Sequence, residues 1–310
     1  MTTDQPDVSV LVITYNHERF IARALDSVLM QRGVRFEVIV SEDRSTDGTL
    51  AIVRAAAAAD PRVTVIESER NLGCNVTVLR ALRAARGRYV AMLDGDDFWI
   101  AEDKLARQAA ILDADPSLAA CFHNARVVLG DADEPEERCW TAADQAGRIS
   151  LAELWEGNPF ATAAGLLRRD ALGSIDDWYG EFGRARDTIM ITDWPLYLAC
   201  AEHGDIAFHN EPVSAYRLHD SGVYSGLPSR RKLDIIAELY RRMDAGFQHR
   251  HHALAAAGSA AYFIGWMNEF GARGDTALAR RCAWFALRSG GIGSAGGWRR
   301  WLADARKALR

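Results

Sequence analysis

The most chemically suggestive residues of the sequence are Asp94-Gly95-Asp96-Asp97, which follow an apolar run ending at Leu93. Residues two positions apart in an extended chain point to the same side, so Asp94 and Asp96 direct two carboxylates the same way. Hard divalent cations prefer such oxygen ligands, and they also hold phosphate oxygens. Aspartate and glycine are equally common in turns. The motif alone therefore leaves two interpretations open, a DXD metal site that binds phosphate and a plain turn.

Short apolar runs that alternate with helical patterns must position this motif. Runs rich in β-branched and apolar residues predict strands at residues 8–14, 36–40, 63–66 and 89–93. Apolar periodicity and turn residues predict helices between them at residues 18–30, 49–59 and 75–86. Strands that alternate with helices at short intervals indicate βαβ units. We therefore predict an α/β fold with a mostly parallel sheet flanked by helices.

The ends of the predicted strands carry further polar candidates. Ligands of an open parallel sheet bind beyond the carboxyl ends of its strands. Those ends are Thr14-Tyr15-Asn16, Ser41-Glu42-Asp43, the loop Asn71-Leu72-Gly73 and the aspartate motif. We expect these four segments to meet along one edge of the sheet.

The second half of the chain predicts a mixed segment followed by helices alone. A helix at 101–114 and a strand at 118–124 precede an acidic, irregular stretch at 130–147. Later elements are predicted at 188–203 (helix), near 206 and 213 (strands), and at 230–248, 253–271 and 277–289 (helices). Glycine and proline at residues 226 and 228 mark a break between the two parts. We predict a first domain at 1–227 and an all-helical C-terminal domain at 228–310.

Composition narrows the class of protein. Of 310 residues, 49% are hydrophobic and 25% are charged, which supports a folded core and argues against disorder. The formal net charge of -5 argues against a nucleic-acid partner, because a phosphate backbone selects basic surfaces. The five cysteines form no C-x-x-C pair and the chain starts with polar residues, so we predict reduced thiols and a cytoplasmic location. Trp298 and Trp301, near two arginines, favour a helix packed on its own domain or on a second subunit, and they leave peripheral contact with a membrane or a partner open.

Four stretches of the N-terminal half resemble a known family. They are VSVLVITYNHERFIARALDSVLMQ, FEVIVSEDRSTDGT, ERNLGC and ARGRYVAMLDGDDFW, in the family's order and spacing over residues 8–99. They resemble the nucleotide-sugar glycosyltransferases of family two, which have the GT-A fold, and the likeness continues more thinly to residue 222. The resemblance implies metal-dependent, inverting transfer of a hexosyl or related sugar from a nucleotide diphosphate. UDP is favoured, TDP and GDP stay open, and the acceptor is a glycan, a small molecule, a lipid-linked molecule or a peptide.

The resemblance also implies which residues bind the donor. Tyr15 matches the residue that stacks on the base, with plain packing as the alternative, and Asp43 matches the carboxylate that accepts from a base N–H. Arg217 matches a residue that neutralises the leaving diphosphate. The residues predicted to bind the nucleotide or donor are Thr14, Tyr15, Asn16, Glu18, Asp43, Asn71, Asp94, Gly95, Thr162 and Arg217.

The metal site and the general base follow from the same resemblance. Asp94, Asp96 and His219 match the metal-binding positions, and Mn²⁺ or Mg²⁺ is the implied cofactor. A loop hydrogen bond is the alternative for His219. Inverting transfer needs a base that takes the acceptor's proton, and Asp193, in an Asp-Trp sequence before a helix, matches it. Asp187 is the second choice, and a helix N-cap is a compatible alternative role for Asp193.

Other classes of protein and other clusters compete with this hypothesis. A nucleotidyltransferase needs a glycine-rich phosphate loop and a dinucleotide dehydrogenase needs G-x-G-x-x-G, but the loop at 15–18 contains no glycine. A non-catalytic nucleotide-binding scaffold on the same fold stays an alternative. His249, His251 and His252 have no cysteine or carboxylate beside them, which favours a solvated helix end over a metal site. A homodimer through the C-terminal helices, or acceptor binding by them, stays open.

Overall fold

The computed structural model describes residues 5–145, 147–173, 175, 179, 193–219, 226–292 and 295–308, with the backbone alone for 295–300. The chain divides into two compact units. The first consists of Met1–Ser150, Pro159–Arg186 and Ile191–Ser225, and the second of Leu151–Asn158, Asp187–Met190 and Gly226–Arg310. The second unit thus includes two short segments that precede the C-terminal part of the chain in sequence. A domain boundary at residue 227 stays a prediction.

The first unit is built on a sheet to which nine described strands contribute. They are β1 (Val8–Thr14), β2 (Phe36–Glu42), β3 (Val63–Glu67), β4 (Tyr89–Asp94), β5 (Phe98–Trp99), β6 (Leu118–Leu129), β7 (Arg148–Ile149), β8 (Gly165–Arg168) and β9 (Asp205–Leu218). The strand order is β3-β2-β1-β4-β8-β6-β9-β5, and β7 pairs with β9. Strands β1 to β4 pair in parallel, whereas β8 is antiparallel to both β4 and β6.

Helices of the first unit connect these strands and flank the sheet. They are α1 (Ile21–Leu29), α2 (Thr49–Ala59), α3 (Cys74–Ala84), α4 (Lys104–Ala114) and α6 (Asp193–Ala201). All seven residues of β1 are buried, as expected for a central parallel strand that is covered on both faces. Each buried Val, Leu or Ile side chain there contributes about 1.5–3 kcal/mol of transfer free energy. The predicted α/β class with a helix-flanked sheet is confirmed.

The register of the parallel strands determines where their polar ends lie. Thr14 is opposite Glu42, Ile13 is opposite Asp94, and Glu42 is opposite Glu67. The carboxyl ends of β1, β2, β3 and β4 therefore meet along one edge of the sheet. The polar segments that follow these strands in sequence all start from this edge.

Several predicted elements differ from the structure in their bounds. The helix predicted at 18–30 starts at Ile21, because the residues before it form a loop in which Asn16 has a φ of 56°. The strands predicted near 206 and 213 are one strand, β9, which pairs with β6 as far as Leu129. Register shifts around Asn124 accommodate the polar residues in the middle of β9. A bulge in one continuous strand thus lies between the two predicted strand positions.

The second unit is helical. Its described elements are α5 (Leu151–Glu156), α7 (Ser229–Gly246), α8 (His252–Ala272), α9 (Thr276–Arg288) and α10 (Ala295–Ala308). Gly258 of α8 allows close approach to α5, since a Cβ there would lie 2.0 Å from the carbonyl oxygen of Trp155. Tyr240 of α7 donates its hydroxyl hydrogen to the same oxygen at 2.8 Å. None of the described helices is both long and apolar enough to cross a membrane.

Candidate active site

The aspartate motif forms a tight turn at the end of β4. The Gly95 N–H donates to the Ile13 carbonyl at 2.8 Å, and the Asp97 N–H donates to the Asp94 carbonyl at 3.0 Å. A Cβ on Gly95 would lie 2.7 Å from both Thr14 Oγ1 and His17 Nδ1, so any other residue would force these side chains to move. The loop after β1 therefore packs directly against the turn. The motif is therefore a turn, and a turn of this kind still leaves its carboxylates able to bind a metal ion.

Asp96 lies between two histidines from different loops. Its Oδ2 atom is 2.9 Å from His219 Nε2 and 3.8 Å from His17 Nε2. Burial alone would raise the pKa of Asp96, but the hydrogen bond with His219 and the charges of both histidines lower it below its usual value. Burial lowers the pKa of His17, although the charge of Asp96 acts to raise it. The structure thus brings together the predicted pair Asp96 and His219, and adds His17.

Asp94 is partly buried and lies among other carboxylates. Burial, followed by the charges of Asp96 and Asp193, raises the pKa of Asp94 to about 8. Asp193 is the first residue of α6, and its Oδ2 is 3.5 Å from the Thr162 hydroxyl. Three carboxylates from the end of β4 and the start of α6 therefore converge within the first unit. Such a cluster favours a bound cation, because uncompensated like charges in a buried site repel.

Asp43 positions a neighbouring loop. One carboxylate oxygen accepts from the Leu72 N–H at 2.7 Å and the other from the Gly73 N–H at 2.8 Å. The Asn71 amide donates to the Asp43 carbonyl oxygen at 3.3 Å. Two loops that were predicted to bind the donor are thus joined through Asp43.

The loop after β1 is held by the loop after β2. The Asn16 side-chain oxygen accepts from the Thr46 N–H at 2.8 Å, and a Glu18 carboxylate oxygen accepts from the Gly48 N–H at 2.6 Å. These contacts give Asn16 and Glu18 positioning roles within the protein. Tyr15, between β1 and Asn16, keeps 40% of its surface exposed. Its ring is therefore accessible to a ligand, which argues against plain packing.

A family model provides the decisive comparison for this arrangement. The model described as glycosyl transferase family 2 matches residues 9–175, which include β1 to β8 and the Asp94–Asp96 turn.

The chain belongs to glycosyl transferase family 2.

The chain is also similar to individual proteins and solved structures. An uncharacterized protein of Mycobacterium tuberculosis is 33% identical over 228 residues, which make up 73% of this chain and 63% of that protein. The chain thus spans less than two thirds of the length of that relative. The structure of Staphylococcus aureus TarS 1-349 in complex with UDP-GlcNAc has a TM-score of 0.64 and 16% identity, over 98% of this chain and 90% of that chain.

A second solved structure extends the likeness in fold. The mannosyltransferase PcManGT from Pyrobaculum calidifontis, in complex with GDP-Man and Mn²⁺, has a TM-score of 0.54 and 22% identity. The match covers 99% of this chain and 86% of that chain. The predicted GT-A fold and the predicted family are confirmed.

Arg217 of this family 2 chain forms a hydrogen bond with the backbone of the acidic turn. Its Nε–H donates to the Asp96 carbonyl at 3.0 Å, and its Nη1 donates to the carbonyls of Gly130 and Ala132 at 2.7 and 2.9 Å. The guanidinium carbon lies 4.5 Å from the centre of the Phe20 ring. The structure thus shows Arg217 in a positioning role, and its predicted contact with a diphosphate stays a prediction.

A buried polar anchor below the site was not predicted from the sequence. Three consecutive carbonyls accept from three side chains: Ala163 from Trp99 Nε1, Ala164 from Gln108 Nε2 and Gly165 from Lys104 Nζ, at 2.9, 2.8 and 3.1 Å. Burial lowers the pKa of Lys104 to about 7. The anchor fixes the segment that presents Thr162 to Asp193. The only sequence signal was a lysine on the apolar face of α4.

Asp187, the second choice for the base, lies outside the described residues. Trp194, which follows Asp193, is 2% exposed and packs in the interior of the first unit.

Proposed function

We propose that this protein transfers a sugar from a nucleotide diphosphate sugar to an acceptor nucleophile, with inversion at the anomeric carbon. The observation that carries the proposal is the convergence of Asp94, Asp96 and Asp193 at the ligand-binding edge of a family 2 fold. Asp94 and Asp96 are available for the diphosphate end of the donor. Asp193 is available for the acceptor.

The nucleotide is held by the loops that follow β1 and β2. Tyr15 is exposed at the end of β1, which supports stacking of its ring on the base. Asp43 and Asn71 hold the adjacent loop in place, and Asp43 retains lone pairs that can accept from a base N–H. TarS binds UDP-GlcNAc and PcManGT binds GDP-Man, so a nucleotide-sugar donor fits both similar structures. We place UDP first, ahead of GDP and TDP.

The carboxylates of Asp94 and Asp96 would hold a divalent cation, with His219 completing the ligand set. The chemistry of these side chains suits such an ion, because two partly buried carboxylates and one imidazole are donor types that bind Mn²⁺ or Mg²⁺. A bound ion would stabilise, as a Lewis acid, the negative charge that develops on the leaving diphosphate. The His219 hydrogen bond, with a smaller contribution from His17, lowers the pKa of Asp96 and so favours the ionised carboxylate.

Asp193 is our choice for the general base. Its carboxylate accepts the proton of the acceptor hydroxyl while the acceptor oxygen bonds to the anomeric carbon and the bond to the diphosphate breaks. Attack from the face opposite the diphosphate inverts the anomeric configuration. The position of Asp193 at the start of α6, within reach of the Thr162 hydroxyl, supports a fixed orientation for this carboxylate.

The proposal is tested by donor turnover with a matched pair of variants. UDP-, GDP- and TDP-sugars are incubated with the protein, Mn²⁺ and an acceptor panel of glycans, lipid-linked sugars and peptides. Release of nucleotide and the anomeric configuration of the product are followed by NMR. We expect Asp193→Asn to bind nucleotide like the parent but to transfer at least about 10²-fold more slowly. Asp26→Asn, on the exposed face of α1, is the control and should transfer like the parent.

Two outcomes would count against this account. Equal transfer by Asp193→Asn and the parent would remove Asp193 as the base. A product that retains the donor's anomeric configuration would remove the inverting mechanism. The identity of the acceptor and a homodimer through the C-terminal helices stay predictions.

A further inference from the structure

We propose that Asp244, His249 and His252 form a second metal site in the helical unit, suited to Zn²⁺ and separate from the acidic turn of the first unit. Asp244 lies in the last turn of α7, His249 in the connection that follows, and His252 at the start of α8. The sequence pattern had favoured a solvated helix end, because the histidines have no adjacent carboxylate. The fold supplies one from five residues upstream.

The three candidate ligand atoms lie close together. The Asp244 Oδ2 atom is 2.8 Å from His249 Nδ1 and 2.9 Å from His252 Nδ1, and all three ligand atoms lie within 4.8 Å of one another. Zn²⁺ bonds to imidazole nitrogen and carboxylate oxygen at about 2.0–2.2 Å, which puts tetrahedral ligand atoms roughly 3.3 Å apart. Each ring nitrogen therefore needs to move only about half an ångström away from the Asp244 oxygen to make room for the ion.

The backbone of the connection is shaped to make this cluster. Gln248 and His249 have φ values of 53° and 58°, so two consecutive residues without glycine's freedom are left-handed. Such a conformation costs on the order of 1–3 kcal/mol per residue and persists only where other contacts require it. The His249 N–H donates to the Asp244 carbonyl at 2.9 Å. This reversal returns the His249 ring to the Asp244 carboxylate.

Burial and accessibility also suit a metal ion. The Asp244 side chain is only 13% exposed, whereas the His249 and His252 side chains are 66% and 69% exposed. Within the part of the chain that the structure describes, the buried Oδ1 atom of Asp244 has no hydrogen-bond partner. The carboxylate is thus largely enclosed by protein, and the imidazoles are open to an ion from solvent. Two imidazoles and one carboxylate match a three-ligand Zn²⁺ site with a further position for water.

The alternative is a hydrogen-bonded clip of one carboxylate and two histidines that closes the connection without an ion. The two cases differ in their response to added metal. A metal site binds Zn²⁺ with defined stoichiometry and gives Co²⁺ a tetrahedral absorption spectrum. A clip does neither.

The test is a calorimetric titration of Zn²⁺ into untagged protein that has been treated with a chelator, with the Co²⁺ spectrum as a second readout. All proteins carry Asp96→Ala, so that the acidic turn of the first unit does not contribute. We expect one Zn²⁺ per chain with micromolar or tighter affinity. We expect Asp244→Asn and His252→Gln each to weaken the affinity at least about tenfold.

His251→Gln is the matched control, because its ring lies in the same connection, 5.9 Å from the Phe247 ring, and is not part of the cluster. It should bind Zn²⁺ like the parent. Thermal unfolding in the presence of chelator checks that each variant is folded. Failure of the folded parent to bind Zn²⁺ at micromolar concentration would overturn the proposal, as would equal binding by the parent and the folded His252→Gln variant.

Discussion

Replacement of Gly95 by alanine is expected to damage both stability and nucleotide binding. The added Cβ would lie 2.7 Å from Thr14 Oγ1 and from His17 Nδ1, and 3.0 Å from Thr14 Cβ. Side chains at the end of β1 must move to relieve these contacts, and overpacking of this kind costs about 1–3 kcal/mol. His17 also contacts Asp96, so the same movement displaces the carboxylate that we assign to the metal.

The size of the functional effect follows from that displacement. A shift of about 0.5 Å is enough to spoil a preorganised ligand set. We therefore expect Gly95→Ala to weaken binding of UDP in the presence of Mn²⁺ at least tenfold, which is about 1.4 kcal/mol. Urea unfolding measures the loss of stability, and calorimetry measures the affinity.

A second glycine provides the control. Gly265 lies inside α8 and has no heavy atom within 4 Å of an added Cβ. Gly265→Ala should therefore stabilise the protein by about 0.5–1 kcal/mol, because alanine loses less conformational freedom on folding than glycine. If Gly95→Ala matched the parent in urea midpoint and in UDP affinity, the proposed packing of His17 against the acidic turn would be refuted.

Two further predictions concern stability. Asp43→Asn leaves one oxygen for two N–H donors, those of Leu72 and Gly73, and should lower the free energy of unfolding by about 1–3 kcal/mol in urea titrations; an unchanged midpoint would contradict this. The folded pKa of Lys104 is about 7 against 10.5 for the free side chain, so between those values the unfolded chain binds more protons and the free energy of unfolding rises with pH. The rise is at most about 1.4 kcal/mol per pH unit. Between pH 7.5 and 9, the free energy of unfolding of the parent should rise by about 1–2 kcal/mol more than that of Lys104→Met. Parallel pH profiles for the two proteins would show that Lys104 does not titrate in this range.

Much of the first unit follows from local sequence patterns. Val8–Thr14 is an uninterrupted β-branched and apolar run, and the structure has a strand with those bounds. The aspartates after β4 stand out because acidic residues directly follow a buried strand. The extension of β6 to Leu129 was not predicted, because its last residues are ordered by pairing with β9, which is distant in sequence.

Other site residues could not be predicted because they depend on tertiary contacts. His17 follows β1 in a polar loop, and only the packing of Gly95 brings its ring to Asp96. Lys104 is fully buried because the Gly165 carbonyl of a distant segment and the Gln108 side-chain oxygen accept hydrogen bonds from its Nζ. The approach of His249 to Asp244 needs left-handed backbone at residues that lack glycine's preference for it. Each case depends on a contact that no local pattern specifies.

The most direct test of the central claim is calorimetric titration of UDP and GDP into the parent protein and Asp96→Ala, each with Mn²⁺ and with chelator. The account predicts that one nucleotide binds the parent at least tenfold more tightly with Mn²⁺, a difference of about 1.4 kcal/mol, and that Asp96→Ala loses this difference. Equal affinity in Mn²⁺ and chelator, or an undiminished Mn²⁺ effect in Asp96→Ala, would contradict the assignment of the acidic turn as the metal and diphosphate site.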